Sequence, residues 1–436
     1  MELSFTVRNV LAGSMLLGTV GGVLGCFAVL RRQSLLGDAI AHAALPGVCL
    51  GYLLTHSKDP LPLFAGALVA GACGAMLILA VVRFSRVKED TAIGIVLSVF
   101  FGIGIVMLTH IQKLPFGNQS GLDKFLFGQA ASLMPRDLAL MGILGSFVLL
   151  TVAVSYKELK LLAFDPEFGR SLGLPMRRLE LLLTLLLVIV VVVGLQTVGV
   201  ILIVATLITP AAAARQWTER LSVMLALAAL IGGGAGAAGA LVSANLARLP
   251  TGPVIVLFSS VALLVSLAVA PRRGLVWSGT RYLRMVSRIR RENLLKDLYL
   301  WGERHHDDWR AAVPWTILMG IRGQSSRQLV RLARRLTRDG LLETGSHNAR
   351  LSPAGLVAAR HVVRKHRLWE TYLARSLELP SDHVHSNAEI MEHAISDQAL
   401  AEIEARLGYP QHDPHGRPIP RASGHAPDAA NAGALA

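Results

Sequence analysis

Asp38 and His42 have the clearest potential for chemistry in the apolar first part of the chain. They lie four residues apart in a stretch that is otherwise apolar from Leu36 to Gly47, so on a helix they share one face. A carboxylate oxygen and an imidazole nitrogen form half of a site for a borderline divalent ion such as Mn²⁺, Zn²⁺ or Fe²⁺. The alternative is a hydrogen bond that only satisfies two buried polar groups, and the spacing leaves both interpretations open.

A second group of possible ligands lies near the C-terminal end, at spacings of three or four residues. Carboxylates and imidazoles without a thiolate suit Mn²⁺, Fe²⁺ or Zn²⁺ better than a soft ion. The chain's three cysteines all lie in apolar runs near its beginning and build no thiolate zinc cluster. A solvated helix face is the alternative interpretation. The group consists of His366, Glu370, His385, Glu389, Glu392 and His393.

A basic helix precedes this group. Ser325 or Ser326 is a suitable N-cap, and a helical pattern runs to about Asp339, where Gly340 ends it. A hairpin pattern and Pro353, which can open the next helix, follow. Together these elements indicate a winged helix-turn-helix, whose second helix would contact DNA; the alternative is a winged helix used only for protein contacts. The basic stripe consists of Arg327, Arg331, Arg334 and Arg338.

The elements that position these residues differ between the two parts of the chain. The 436 residues are 53% hydrophobic and 17% charged, with a mean hydropathy of +0.50, whereas soluble proteins are roughly a quarter charged. Residues 1–270 hold 30 charged residues, and the remaining 166 hold 42. This division excludes a single globular domain and indicates a membrane part followed by a soluble part.

Nine apolar runs approach the roughly 20 residues that a membrane-spanning helix needs. The seventh is short, which leaves eight or nine crossings. We therefore expect an all-α polytopic membrane protein with 8–9 transmembrane helices, followed by a winged helix-turn-helix and a helical metal-regulator-like domain. The runs are 10–30, 37–54, 61–82, 91–109, 137–155, 179–195, 199–214, 221–245 and 252–270.

The basic residues predict the orientation. If nine runs alternate with Arg31 and Arg32 inside, 12 Lys and Arg lie in inner loops and 6 in outer loops, as the positive-inside rule requires. The chain after Pro271 is then cytoplasmic, and the protein lies in the bacterial cytoplasmic (inner) membrane. Seven arginines between Pro271 and Arg291 are interpreted as holding this orientation and attracting anionic membrane lipid.

The stretch from Leu35 to Gly47, with Asp-x-x-x-His and a following Leu-Pro-Gly, resembles the permeases of the manganese/zinc/iron ABC importer family. Phe164–Pro175 resembles that family's coupling segment, and Leu249–Pro253 resembles its turn before the last span. The resemblance covers about residues 5–272 and implies that Asp38 and His42 line the cation path. It also implies that a short helix at about 166–172 contacts a peripheral subunit, although a mere connecting loop is the alternative. The coupling residues are Asp165, Pro166, Glu167, Arg170 and Gly173.

The sequence holds no Gly-x-x-x-x-Gly-Lys-Ser/Thr phosphate loop. The chain is therefore expected to be no enzyme, with ATP hydrolysis supplied by a separate ABC ATPase subunit. The resemblance further implies an extracytoplasmic metal-binding protein and a second permease subunit, identical or different, as partners.

Residues of about 291–420 resemble the metal-dependent repressors of the diphtheria-toxin-repressor and manganese-regulator family. The resemblance rests on Lys365–Glu370, Val384-His385, Glu392-His393 and Gly416–Pro420. It implies that His366, Glu389, Glu392 and His393 are direct metal ligands and that Glu370 and His385 belong to an ancillary site. Glu389 stands where iron-type members carry cysteine, which favours manganese. Asn293 and Lys296 stand where manganese-type members carry two acidic ligands, and a lysine there opposes a cation.

These patterns predict a permease for manganese, or for zinc or iron, fused to a domain that senses the metal, with no covalently bound cofactor. The alternative is a membrane-tethered, metal-responsive DNA-binding regulator, and the paired ligands disfavour an importer for a bulky chelate. The predicted parts are a permease domain (1–272), a basic juxtamembrane linker (273–290), a winged-helix domain (291–360), a helical dimerisation and metal-binding-like domain (361–420) and a disordered tail (421–436).

Overall fold

The computed structural model divides into two compact units, residues 1–278 and 279–436. It describes residues 5–56, 59–113, 128, 133–195, 197–246, 249–271, 274–305, 308–309, 311–322, 325–376 and 395–421.

The first unit is a helical bundle. Three of its helices begin with a proline, at Pro60, Pro135 and Pro166, where the missing backbone N–H is not needed. Its helices are α1 (Phe5–Leu30), α2 (Leu36–Thr55), α3 (Pro60–Phe84), α4 (Glu89–Gln112), α5 (Pro135–Val154), α6 (Tyr156–Phe164), α7 (Pro166–Ser171), α8 (Met176–Leu195), α9 (Val200–Trp217), α10 (Leu221–Asn245) and α11 (Thr251–Val269).

Eight helices of the described residues are long and apolar enough to cross a membrane: α1 to α5, α8, α10 and α11. The short seventh run of the sequence forms α9, which runs beside α11. Gly252 at the start of α11 lies next to Val198, just before α9, and Trp217 at the end of α9 donates a hydrogen bond to Ser266 of α11 at 2.9 Å. Within the described residues, α9 therefore traverses the bundle as a ninth helix, and the traversing helices alternate in direction.

Small residues allow the helices to pack closely. In the antiparallel pair of α1 and α10, a Cβ on Gly18 would collide with the backbone of Gly232, and a Cβ on Gly22 would collide with the backbone of Ala228. Gly47 of α2 and Gly66 of α3 are packed in the same way, because a Cβ on either residue would collide with the backbone of the other. Such contacts hold membrane helices together because lipid provides no hydrophobic driving force between them.

The second unit has the winged-helix order that the sequence predicts. A three-stranded antiparallel sheet has the order β1-β3-β2, and Glu343 of β2 pairs with Arg350 of β3. Leucines from α12, α14 and the wing form its core, among them Leu295, Leu329 and Leu351. The elements are α12 (Leu275–Arg304), β1 (Val313–Pro314), α13 (Trp315–Arg322), α14 (Ser326–Arg338), β2 (Leu342–Thr344), β3 (Asn348–Leu351), α15 (Pro353–Ser376) and α16 (Asp397–Arg406).

Candidate functional site

The first turns of α2 lie inside the bundle. Gly37 faces Val191 in the C-terminal half of α8 and Val204 in the first half of α9, and Ile40 lies against Gly71 near the middle of α3. The first turn of α2, which holds Asp38, therefore packs against residues that lie within α3, α8 and α9. A carboxylate in such a place is expensive and indicates a functional role.

Asp38 and His42 converge as their spacing predicts. His42 Nε2 lies 3.5 Å from Asp38 Oδ1, and their side chains are 17% and 34% exposed. The edge of Phe101 from α4 packs on the imidazole, with ring centroids 4.8 Å apart. His42 Nδ1 is buried and has no hydrogen-bond partner among the described residues.

This geometry suits a transient cation site. Asp38 supplies a carboxylate oxygen and His42 a ring nitrogen, while Ala39, Ala41 and Ala43 around them are fully buried. The described residues contain no group of three or more His, Cys, Asp and Glu side chains that could hold a metal ion.

One end of the bundle is held together by polar contacts that the sequence did not single out. Arg31, just after α1, forms a mostly buried ion pair with Glu180 of α8. Gln33 donates a hydrogen bond to Glu89 at the start of α4 at 2.7 Å. These contacts connect the segment before α2 to two neighbouring helices. The i,i+4 rule cannot find them because the partners are far apart in the sequence.

The predicted coupling helix is α7, which lies beside the start of α8. Asp165 caps it by accepting a hydrogen bond from the Phe168 N–H at 2.9 Å, and Pro166 is its first residue. Glu167 and Arg170 are exposed and 3.9 Å apart. Gly173 has a φ of 79°, which favours glycine and ends the segment.

The same segment carries an exposed apolar patch, Phe164, Phe168 and Leu172, which the sequence pattern does not indicate. Each of these side chains is more than half exposed; Phe164 is the last residue of α6, Phe168 lies within α7 and Leu172 directly follows α7. Aromatic side chains are enriched at protein–protein interfaces. The patch, rather than the charged pair, is the surface best suited to a partner.

In the second unit, the structure brings together two of the expected metal ligands. His366 Nε2 lies 3.1 Å from Glu370 Oε1 on α15, and both side chains are almost fully buried. These two atoms fit part of a divalent metal site. The other expected ligands, His385, Glu389, Glu392 and His393, lie outside the described residues.

The second unit buries several cations on α12 and α15. Lys296 of α12 is 3% exposed, and Asn293 presents a buried Oδ1 without a hydrogen-bond partner in the described part of the chain. Arg367 is buried and forms two hydrogen bonds to Glu303, at 2.9 and 2.6 Å. Lys365 hydrogen bonds to Asp397 and, with a smaller effect from His361, lowers the pKa of that carboxyl.

The basic stripe lies on α14, the second helix of the winged motif. Ser325 occupies its N-cap position without a side-chain cap bond, and Gly340, with a φ of 72°, follows it. All four stripe arginines are exposed, whereas Leu329, Ala333 and Leu336 face the core. The stripe consists of Arg327, Arg331, Arg334 and Arg338.

Comparison with known proteins matches both units. Residues 4–270 match the ABC 3 transport family, and residues 352–421 match the iron dependent repressor, metal binding and dimerisation domain. The chain is 44% identical over 372 residues to the manganese transport system membrane protein MntC of Bacillus subtilis, covering 85% of this chain and 84% of the relative.

Two further matches concern the membrane unit. The zinc transport system membrane protein TroC of Treponema pallidum is 46% identical over 273 residues, which are 63% of this chain and 92% of TroC. The structure of PsaBC from Streptococcus pneumoniae in complex with Fab matches with a TM-score of 0.55 and 35% identity. That match covers 62% of this chain and 93% of the other.

Proposed function

Since the chain belongs to the ABC 3 transport family, we propose that it is the permease subunit of an importer for a divalent transition metal, with manganese the first candidate and zinc the second. The observation that carries this proposal is the convergence of Asp38 and His42 inside the bundle. The names of the manganese and zinc relatives agree with the ligand chemistry.

Both side chains bind the ion, each with a different donor atom. The Asp38 carboxylate offsets part of the charge of the cation, and neutral His42 offers Nε2 as the second donor. The ion pair of Arg31 and Glu180 closes the end of the bundle beside α7. Separation of the two side chains would open a path for the transported ion at that end.

The remaining partners follow from the same arrangement. A separate ATPase subunit docks on the apolar patch of Phe164, Phe168 and Leu172, and an extracytoplasmic metal-binding protein delivers the ion at the opposite end. A second permease subunit completes the pathway. The inner loops carry most of the Lys and Arg, which supports a bacterial cytoplasmic membrane location with the second unit inside the cell.

Uptake of radioactive manganese tests this function. The chain, together with its ATPase and binding protein, is expressed in bacterial cells that lack their own manganese importers. We expect saturable uptake that excess Zn²⁺ inhibits, because both ions use oxygen and nitrogen ligands. Uptake no greater than in cells lacking the chain, while the chain is present in the membrane, would contradict the proposal.

A second function, DNA binding by the second unit, is favoured by the exposed stripe on α14. Its arginines recur on one side of the helix that would enter the major groove. A gel-shift experiment with the detergent-solubilised full chain and DNA from its own promoter region tests it. Specific retardation that is lost on Arg331→Gln with Arg334→Gln supports regulation of transcription, and an absence of specific binding refutes it.

We also propose that the second unit senses cytoplasmic metal. His366 and Glu370 would supply two ligands, and a bound divalent ion would neutralise the buried Glu370 carboxylate. Lys296 stands where the resemblance to manganese-type regulators calls for an acidic ligand, so the affinity should be lower than for a site with acidic residues on α12. Such a site would fill only when the metal is abundant, which suits restraint of an importer.

A further inference from the structure

A cleft in the second unit lies between α12, α14 and α15 and has a volume of about 660 Å³. Four guanidinium groups line it, from Arg284, Arg288 and Arg291 of α12 and Arg335 of α14. We propose that this cleft binds the phosphate headgroup of an anionic phospholipid. This proposal does not depend on which ion the membrane unit transports.

The charges of the cleft are only partly balanced. Arg288 hydrogen bonds to Glu292 at 2.7 Å, and Arg291 pairs with Asp339 at 3.3 Å. Arg335 donates one hydrogen bond, at 3.2 Å, to the hydroxyl of Ser287. Each guanidinium carries five N–H donors, so these contacts leave donors for phosphate oxygens. Asp397, which pairs with Lys365 at 2.7 Å and contacts His361 of the cleft at 3.1 Å, also acts on Arg288. Three carboxylates against four arginines and Lys365 leave the region positive.

The floor of the cleft is apolar. Leu295 and Leu336 are almost completely buried beneath it, and Leu332 and Val362 line it. Leu283 stands at its edge with 67% of its surface exposed. An arginine rim around an apolar floor fits a phosphate that is attached to an apolar body, because both parts of such a ligand find matching surface.

The adjoining part of α12 explains why we assign a lipid rather than a free phosphate. Six large apolar or aromatic side chains there are each between 47% and 71% exposed, interleaved with Arg281 and Arg284. α12 begins a few residues after the last candidate span ends at Val269. Exposed apolar residues alternating with arginines are typical of helices at the membrane surface. They are Leu275, Val276, Trp277, Tyr282, Leu283 and Met285.

DNA is the less suitable occupant. The exposed stripe of α14, beginning at Arg327, does not line the cleft, and the groove between three helices is concave. Proteins of the winged-helix type present a protruding helix to the major groove of DNA, whereas this cleft is a recess between three helices, and the phosphates of a duplex gain nothing from its apolar floor. The cleft and the stripe are therefore separate basic surfaces.

Native mass spectrometry of the detergent-solubilised full chain tests the proposal. The probe is short-chain phosphatidylglycerol, with phosphatidylcholine of the same chain length, inorganic phosphate and duplex DNA as competitors. We expect phosphatidylglycerol adducts that phosphatidylcholine does not displace. Arg284→Gln with Arg335→Gln should weaken binding about tenfold or more, because each arginine contributes measurably to anionic lipid binding.

The matched control is Arg290→Gln with Arg338→Gln, which removes the same charge from the same two helices outside the cleft. It should bind phosphatidylglycerol as the unchanged chain does. An equal loss in both double variants would show general charge attraction and overturn the assignment. Inorganic phosphate binding as tightly as the lipid, displacement by DNA at comparable concentration, or no adduct at all would overturn it too.

Discussion

Among the individual residues of the membrane unit, two pairs of polar side chains stand out. Asp38 and His42 face one another inside the bundle, and Arg31 and Glu180 pair at the end beside α7. In the described structure, His42 Nδ1 and Arg31 Nη1 are both buried without a hydrogen-bond partner. The guanidinium of Arg31 has no acceptor atom for a cation, whereas the carboxylate and imidazole of the first pair do.

The ion pair of Arg31 and Glu180 should stabilise the closed end of the bundle. Arg31→Met or Glu180→Gln each leaves one partly buried charge without its partner, which costs about 1–3 kcal/mol. The double variant should lose less than the sum of the two, since neither charge remains. Thermal unfolding in detergent measures this. Arg86→Met, at an exposed position in the next inner loop, should have no effect; additive losses would contradict the pairing.

Contacts between residues that are close in the sequence could be predicted, whereas contacts between residues that are far apart in the sequence could not. The pairs Asp38–His42 and His366–Glu370 lie four apart on helices, so the helical repeat alone brings them together. Arg31 meets Glu180 only through the packing of α1 on α8, which no local pattern encodes. The family resemblances, drawn from short motifs, were confirmed by matches over both parts of the chain.

At the scale of elements, close helix packing and one short surface helix govern the membrane unit. The sequence predicted nine apolar runs and left the seventh uncertain because of its length. In the structure α9 extends to Trp217, so its 18 residues are only one fewer than in α11, and it packs against α1, α10 and α11. The exposed face of α7 could not be predicted because apolar residues in a loop give no indication of which side they present.

Two glycines of α10 provide a matched test of the close packing. A Cβ on Gly232 would collide with the backbone of Gly18, whereas a Cβ on Gly234 would meet nothing within 4 Å. Gly232→Ala should lower the free energy of unfolding by about 1–3 kcal/mol, as overpacking does. Gly234→Ala should leave it unchanged or slightly higher. Equal thermal stabilities in detergent would contradict the packing described.

The apolar patch on the α7 segment should decide ATPase docking. Phe168→Ser removes a side chain that is 51% exposed, and anchors of this kind are worth about 2 kcal/mol or more. We expect recovery of the ATPase with the affinity-purified permease to fall more than tenfold. Glu167→Gln, a neighbouring and more exposed residue, should recover it normally. Normal docking of the Phe168 variant would refute the role of the patch.

At the scale of the whole molecule, one chain joins a permease of the ABC 3 transport family to a second unit, part of which matches the metal binding and dimerisation domain of iron dependent repressors. Such a fusion supplies each permease with its own potential sensor. The division of charge in the sequence, 30 charged residues before position 271 and 42 after it, reflects the division between lipid-embedded and soluble parts. The division of charge predicts two parts of the chain. It carries no information on how metal bound by the second part changes transport by the first.

Control of transport by the second unit is tested with a chain that ends at Ser278. We expect the full chain to slow its uptake as internal Mn²⁺ rises and the shortened chain to continue. His366→Ala in the full chain should also weaken the inhibition, which keeps the test informative if the shortened chain fails to reach the membrane. Identical inhibition curves for all three would exclude metal sensing.

The proposed role of Asp38 and His42 in binding the transported ion is tested by manganese uptake through Asp38→Asn and His42→Gln variants. Both substitutions keep the side-chain size while removing the charge or the ring nitrogens. With equal amounts of protein in the membrane, we predict that each variant loses most of its uptake and that His110→Gln, at an exposed histidine of α4, loses none. Uptake by the double variant at the rate of the unchanged chain would contradict the account.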